Sequence, residues 1–410
     1  MKKIFNFALY DFANSAFTTI IITFIFATYF AKQIAPDPIM GQSYWGWTIG
    51  ITGFLVAVTG PAIGLFADKK NKIVFFVRSF SLLCILFTAL LWFSKPSESY
   101  LLYTLVVVGI ANFFYELSLI FYNSLLKDIS KNKNIGKSSG FGFALGYVGG
   151  IIVLLISIKL FIDTDNLPFG LTKEDSQNIR AIALLVSFWF LVFAFPFLFL
   201  EIKEKKTNKA KNVYPYFLEL KKLIWNKKLS VLAKFLIARM LYADGLNAII
   251  VMGGIFAVGV FNLEIKELLK LSILMNITAF LGAFIGGIAN DKYGSKFVII
   301  FSLIGLIFSS TVILFTSSIL TFFFLAAVNG LFIGPIQSAS RVVITSMLNK
   351  NNQGKGFGLF AMSGKLTSFL GPFLVSTVTF LTDSQRIGFS AAIVLLLAGL
   401  IILLSIKKIN

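Results

Sequence analysis

The sequence predicts an all-α membrane protein of twelve transmembrane helices in two parallel six-helix repeats, and three observations carry that expectation. With 57% hydrophobic and only 13% charged residues, a chain of 410 residues has more apolar surface than a water-soluble fold can bury, so lipid must be part of its solvent. Apolar runs of about 20 residues, enough to cross a hydrocarbon core of about 30 Å, recur along the chain. A short charged turn joining two such runs also occurs twice: Gly64-x-x-x-Asp68-Lys69 and Gly287-x-x-x-Asp291-Lys292-x-Gly294-x-Lys296. Each turn would close the second hairpin of one half, which implies a duplicated bundle.

In order, the apolar runs are 7–31, 44–66, 73–93, 100–126, 140–162 and 179–200, then 229–258, 268–289, 297–315, 319–348, 356–381 and 388–406. The first is longer than the roughly 7–15 residues of a signal-peptide core and carries Asp11, so it is expected to remain as a helix. The second and eighth end in the charged turns. Gly142-x-x-x-Gly146-x-x-x-Gly150 and Gly282-x-x-x-Gly286 let the fifth and eighth spans pack closely. The pairs Gly60-Pro61, Gly334-Pro335 and Gly371-Pro372 predict bends that a rocking transporter could use as hinges. Residues 201–228 form the longest polar, Lys-rich segment. They are expected to link an N-terminal half, 1–200, to a C-terminal half, 229–410.

A net charge of +19 would suggest nucleic acid in a soluble protein. Here the Lys and Arg crowd alternate loops, above all 127–137 and 203–228, whereas Asp163, Asp165, Glu174 and Asp175 share an intervening loop. That alternation places both termini and the 201–228 linker in the cytoplasm, the chain in the cytoplasmic membrane, and its partners among lipids and small solutes rather than nucleic acid. A monomer is expected. His is absent and the single Cys84 lies in an apolar run, which removes disulfides, thiolate metal sites and His-based triads. No cofactor, metal or enzymatic activity is expected, and carboxylates remain as the proton carriers.

Further pairs come into register when the halves are aligned on the charged turns. Leu9-Tyr10-Asp11-x-x-Asn14 matches Leu241-Tyr242-Ala243-Asp244-x-x-Asn247, and Gly140-Phe141-Gly142 matches Gly356-Phe357-Gly358. Three matches in one order support two parallel repeats about an axis along the membrane normal.

The resemblance becomes specific in the blocks Ala8-Leu-Tyr-Asp-Phe-Ala-Asn-Ser-Ala-Phe17, Phe121-Tyr-Asn-Ser-Leu-Leu126, Gly142-Phe-Ala-Leu-Gly-Tyr-Val-Gly-Gly150, Gln337-Ser-Ala-Ser-Arg341 and Ser363-Gly-Lys365. Through them the chain resembles, nearly end to end, the poorly characterised major facilitator family that includes the vacuolar amino-acid effluxer of autophagy and many bacterial permeases. Phe12 stands where such relatives often have Trp, and Pro335 where they often have Gly. The resemblance implies the major facilitator fold, solute transport with amino acids as the best precedent, and a central cavity walled by the first, fourth, seventh and tenth helices.

Ionisable side chains well inside the spans are costly, so they should face the bundle interior and pair. They are Asp11, Glu116, Asp244, Arg239, Arg341 and Lys365. Asp244 and Arg341 lead as substrate contacts, with Asp11 and Lys365 beside them and Asn14, Asn123, Asn247 and Gln337 as neutral donors and acceptors. Arg341 has a planar fork suited to a substrate carboxylate or to Glu116. Glu116 and Asp244 are the proton-coupling candidates. Gly64, Asp68, Lys69, Gly287, Asp291 and Lys292 are the gating set, with Asp68 expected near Gly356 and Asp291 near Gly140. The reading is a secondary active transporter working by alternating access on a small polar, amino-acid-like solute, with proton coupling favoured over sodium. A non-transporting sensor of the same fold and a facilitative uniporter are the alternatives.

Overall fold

The computed structural model describes residues 2–130, 134–200, 216–226, 228–263 and 265–407. Among them, 12 helices are long and apolar enough to cross a membrane: α1 (Lys2–Ile34), α2 (Met40–Lys70), α3 (Ile73–Phe93), α4 (Glu98–Ile129), α5 (Ile135–Ile162), α6 (Glu174–Leu198), α7 (Val231–Phe261), α8 (Lys270–Tyr293), α9 (Ser295–Phe315), α10 (Ile319–Met347), α11 (Lys350–Thr382) and α12 (Gln385–Ser405). The expected linker, 201–228, lies largely outside the described residues. Its described end holds a short helix, Tyr216–Ile224, and a two-rung ladder in which Trp225 faces Leu229.

The spans agree with the apolar runs to within about six residues at each end, and the early starts of α5 and α11 bear on the site. There the helices begin several residues earlier, through Gly136, Ser138 and Ser139 and through Gln353, Gly354 and Lys355, all buried. Those residues are buried against protein rather than lipid, Gly136 and Gly354 against the other half and Gln353 against α10 of its own, so an apolar run is not required of them. Elsewhere the outer surface is apolar. Phe54, Val58, Phe188, Phe308, Phe324 and Ile401 are exposed, as lipid allows and water would not.

Each half packs on itself, α1 against α5 and α6 in the first and α7 against α12 in the second. The core of the first half is aromatic: Tyr122 stacks between Phe7 and Tyr10 at centroid distances of 4.2 and 4.3 Å. The halves meet chiefly where α8 lies along α5 and α11 along α2. Glycine makes that approach possible. A Cβ on Gly64 would lie 2.3 Å from the Gly354 carbonyl, and one on Gly140 would lie 2.6 Å from the Gly287 Cα. The other glycine rows serve packing within each half: Gly142, Gly146 and Gly149 face Asp11 and Phe12 of α1, and Gly282 and Gly286 face Leu331 and Pro335 of α10.

Pro61 and Pro335 lie inside uninterrupted helices. Only the third Gly-Pro pair coincides with a break, because α11 runs as Gln353–Lys365 and resumes as Leu370–Thr382. Pro372 has no N–H for the carbonyl of Ser368 four residues earlier, and its ring crowds that carbonyl. The helix therefore opens one turn before the proline.

Candidate functional site

A cavity of about 340 Å³ lies between the halves. Its polar wall comes from Glu116 and Asn123 on α4, Arg239, Tyr242 and Asn247 on α7, Gln337, Ser340 and Arg341 on α10, and Lys365 and Ser368 on α11. The α7 contribution, Arg239, Tyr242, Ala243, Leu246, Asn247 and Ile250, follows the three-and-four spacing of one helical face.

Two ion pairs cross between the halves here. Lys365 Nζ lies 2.7 Å from Glu116 Oε1, with the side chains 33% and 14% exposed, so this pair is open to whatever enters. Arg341 is closed in. Its side chain is 2% exposed, and it lies 3.2 Å from Asp11 Oδ2. It donates to Asn123 Oδ1 at 3.0 Å, to Ser139 Oγ at 2.9 Å and to the Ser139 carbonyl at 2.7 Å. Phe143 covers its guanidinium at 4.4 Å. With its donors engaged, Arg341 ties α10 to α1, α4 and α5 rather than offering a free fork to a carboxylate. Its carboxylate partner is Asp11, not Glu116.

Arg239 donates to the Phe360 carbonyl at 2.7 Å and to Ser363 Oγ at 2.8 Å, with its guanidinium 3.5 Å from the Phe360 ring centroid. Asn247 donates to the Ser368 carbonyl at 2.8 Å, the acceptor that Pro372 leaves open. Gln337 accepts from Tyr147 at 3.3 Å.

Asp11, Asn14 and Asp244 do not line the cavity. Asp11 is turned into the α1–α5 contact, where a Cβ on Gly142 would lie 2.3 Å from its carboxylate. Asn14 accepts from Tyr115 at 3.3 Å inside the N-terminal half. Asp244 follows Ala243 by one residue, about 100° around the helix, and that step carries it off the cavity face toward α11. Sequence reasoning did not find Thr367 or the position of the α11 interruption. The Gly371-Pro372 pair was the available signal, displaced by one turn.

The two charged turns make equivalent contacts. Asp68 accepts from the main-chain amides of Gly354 and Lys355 at 2.9 and 2.8 Å, and Asp291 accepts from those of Gly136 and Lys137 at 2.7 and 2.9 Å. Each carboxylate thus caps the first turn of a helix in the opposite half, where the helix dipole favours negative charge. The caps lie before Gly356 and Gly140 because α11 and α5 start earlier than their apolar runs. Lys292 lies over the Tyr293 ring at 5.0 Å. The same end holds a Lys350–Asp128 pair at 2.7 Å and a hydrogen bond from Lys127 to the Leu348 carbonyl. Gly136-Lys-Ser-Ser-Gly140 has the letters of a nucleophile elbow, but it forms the first turns of a helix, with Ser138 and Ser139 donating to the carbonyls of Asn134 and Ser338.

Toward the opposite end lies a second cavity of about 590 Å³, which shares Ile250 and Gln337 with the first and is otherwise mostly apolar, with Phe24, Phe256, Met275 and Phe389 in its wall. At that end the loop between α5 and α6 is exposed, and Lys173, 2.8 Å from Asp165, holds its carboxyl below the usual range. The halves therefore touch where Asp68 and Asp291 lie, and the larger cavity lies toward the other end.

Comparison with known proteins agrees with this architecture. An uncharacterized MFS-type transporter, YxiO of Bacillus subtilis, is 26% identical over 97% of this chain and 93% of its own length. Autophagy-related protein 22 of Saccharomyces cerevisiae is 25% identical over 66% of this chain, which spans 57% of the yeast protein. Among solved structures, the proton:xylose symporter XylE superposes with a TM-score of 0.76 at 12% identity, covering 98% of this chain and 94% of that one. The Escherichia coli fucose:proton symporter FucP superposes with a TM-score of 0.75 at 13% identity, covering 99% and 98%. The family described as vacuole effluxer Atg22 like matches residues 31–409. The chain is a multi-pass integral membrane protein with the major facilitator fold and belongs to the Atg22-like family of transporters.

Proposed function

We propose that this transporter moves a small zwitterionic, amino-acid-like solute by alternating access, coupled to protons, in the cytoplasmic membrane with both termini in the cytoplasm. The observation that carries the reading is the Glu116–Lys365 pair, which joins the halves at 2.7 Å within the cavity wall and stays partly exposed. A zwitterion matches it: its ammonium can replace Lys365 at Glu116 while its carboxylate replaces Glu116 at Lys365. Asn247, Gln337 and Ser368 stand nearby to orient the remainder. Splitting the pair costs little when each charge gains a substrate partner, whereas an empty cavity favours keeping it closed. Protonation of Glu116 would release Lys365 and couple solute movement to a pH gradient. Asp11 and Arg341 then hold the halves together beside the cavity, and Asp68 and Asp291 latch its cytoplasmic end.

The test is a panel of labelled amino acids, short peptides and sugars offered to proteoliposomes with and without a pH gradient. The reading expects accumulation of one or more amino acids that collapses when the gradient is dissipated. Accumulation of an uncharged sugar, with no amino-acid competition, would overturn it.

A further inference from the structure

A buried carboxylate lies outside the cavity. Asp244 is 1% exposed, and neither of its oxygens is held by a main-chain amide or by an ion pair at salt-bridge distance. The buried Thr367 hydroxyl lies beside it as a side-chain hydrogen-bonding neighbour. Thr367 belongs to the interruption of α11, between Lys365 and Leu370. Among the described residues, no main-chain amide donates to the carbonyls of Ser363, Gly364 or Leu366. Gly371 holds the second segment of α11 against α7 at this level, since a Cβ there would lie 2.2 Å from the Asp244 carbonyl. Of the neighbouring cations, Lys365 pairs with Glu116, and Arg239 donates to Phe360 and Ser363 and acts on Asp244 only through space. On its other side α7 meets α12 through Ala392 and Leu396, which bring no charge.

We infer that Asp244, Thr367 and the α11 interruption form a binding site for a sodium ion. A hard monovalent cation takes oxygen donors, and a carboxylate, a hydroxyl and the carbonyls released by a broken helix are such a set. An ionised carboxylate buried without an ion pair is costly, and a bound cation removes that cost. The site is separate from the solute cavity but shares the interruption with it, because Lys365 and Ser368 on the cavity wall bracket Leu366 and Thr367. An ion that draws Thr367 toward Asp244 moves both cavity residues. The consequence for transport rests on the reading above; the site itself does not.

The experiment is binding of radioactive sodium to the purified, monodisperse protein in detergent. Saturable binding is expected in the wild type, lost in Asp244→Asn, weakened at least tenfold in Thr367→Val, which keeps the charge and the volume, and retained in Glu116→Gln. Absence of saturable binding in the wild type, or wild-type binding in both Asp244→Asn and Thr367→Val, overturns the site. Loss in Glu116→Gln with retention in Asp244→Asn moves the ion to the cavity and also overturns it. A thermal shift that acid produces and sodium does not assigns Asp244 to a proton instead. Failure of the amino-acid panel with these binding results intact would refute the solute assignment and leave the ion site standing.

Discussion

Replacing Asp68 with Ala tests the latch. In the closed end the carboxylate accepts two amide hydrogen bonds, at 2.9 and 2.8 Å, from the first turn of α11. When that end opens, carboxylate and amides regain water, so only the net value of the contact biases the equilibrium. A hydrogen bond to a charged group contributes about 1.5–3 kcal/mol net, and the helix terminus contributes about 0.3–1 kcal/mol. Taking about 1.5–3 kcal/mol for the whole latch, since water competes at that end, the change alters the closed-to-open ratio by about 10- to 150-fold. Spin labels on Lys70→Cys and Asn351→Cys, both exposed, in a Cys84→Ser background report the separation of α2 and α11. The wild type should give one short distance, and Asp68→Ala should transfer a large share to a longer one. Asp68→Asn should fall between, because an amide oxygen can accept one bond while its NH₂ opposes the other donor. A distribution in Asp68→Ala identical to that of the wild type would mean that Asp68 does not hold this end closed.

Arg341→Ala should cost about 3–5 kcal/mol of stability, because it strands Asp11 in a dry contact; thermal unfolding in detergent should show the loss, with partial recovery in Asp11→Asn/Arg341→Met. Gly64→Leu should force the latched end apart, since even a Cβ would lie 2.3 Å from Gly354, whereas Gly46→Ala, with nothing within 4 Å of the new methyl, should leave the spin-label distances unchanged. An impermeant thiol reagent applied to intact cells should label Asp165→Cys and not Lys70→Cys; the reverse pattern would invert the proposed topology.

The membrane spans were legible because lipid imposes a length and an apolar surface that single residues reveal. The starts of α5 and α11 were not, because Gly136, Ser138, Gln353 and Gly354 are buried against protein, where hydropathy carries no signal. The charged residues could be identified, but their partners could not. Which wall a side chain joins depends on helix rotation to within one residue, as Asp244 beside Ala243 illustrates. Which charge it meets depends on how the halves dock, so the pairing of Glu116 with Lys365, and of Arg341 with Asp11, needed three dimensions. The duplication predicted the equivalence of Asp68 and Asp291 because both lie in the last turn of the second helix of their half.

The proposed meeting point of solute and proton is the Glu116–Lys365 pair. It is tested most directly by comparing Glu116→Gln with the wild type in proteoliposomes loaded with a solute found in the panel. Glu116→Gln should abolish accumulation driven by a pH gradient while leaving at most weakened exchange of internal for external solute, because the neutral side chain carries no proton and offers the solute's ammonium only a hydrogen bond. Full gradient-driven accumulation by Glu116→Gln would contradict the account and remove the proton from this site.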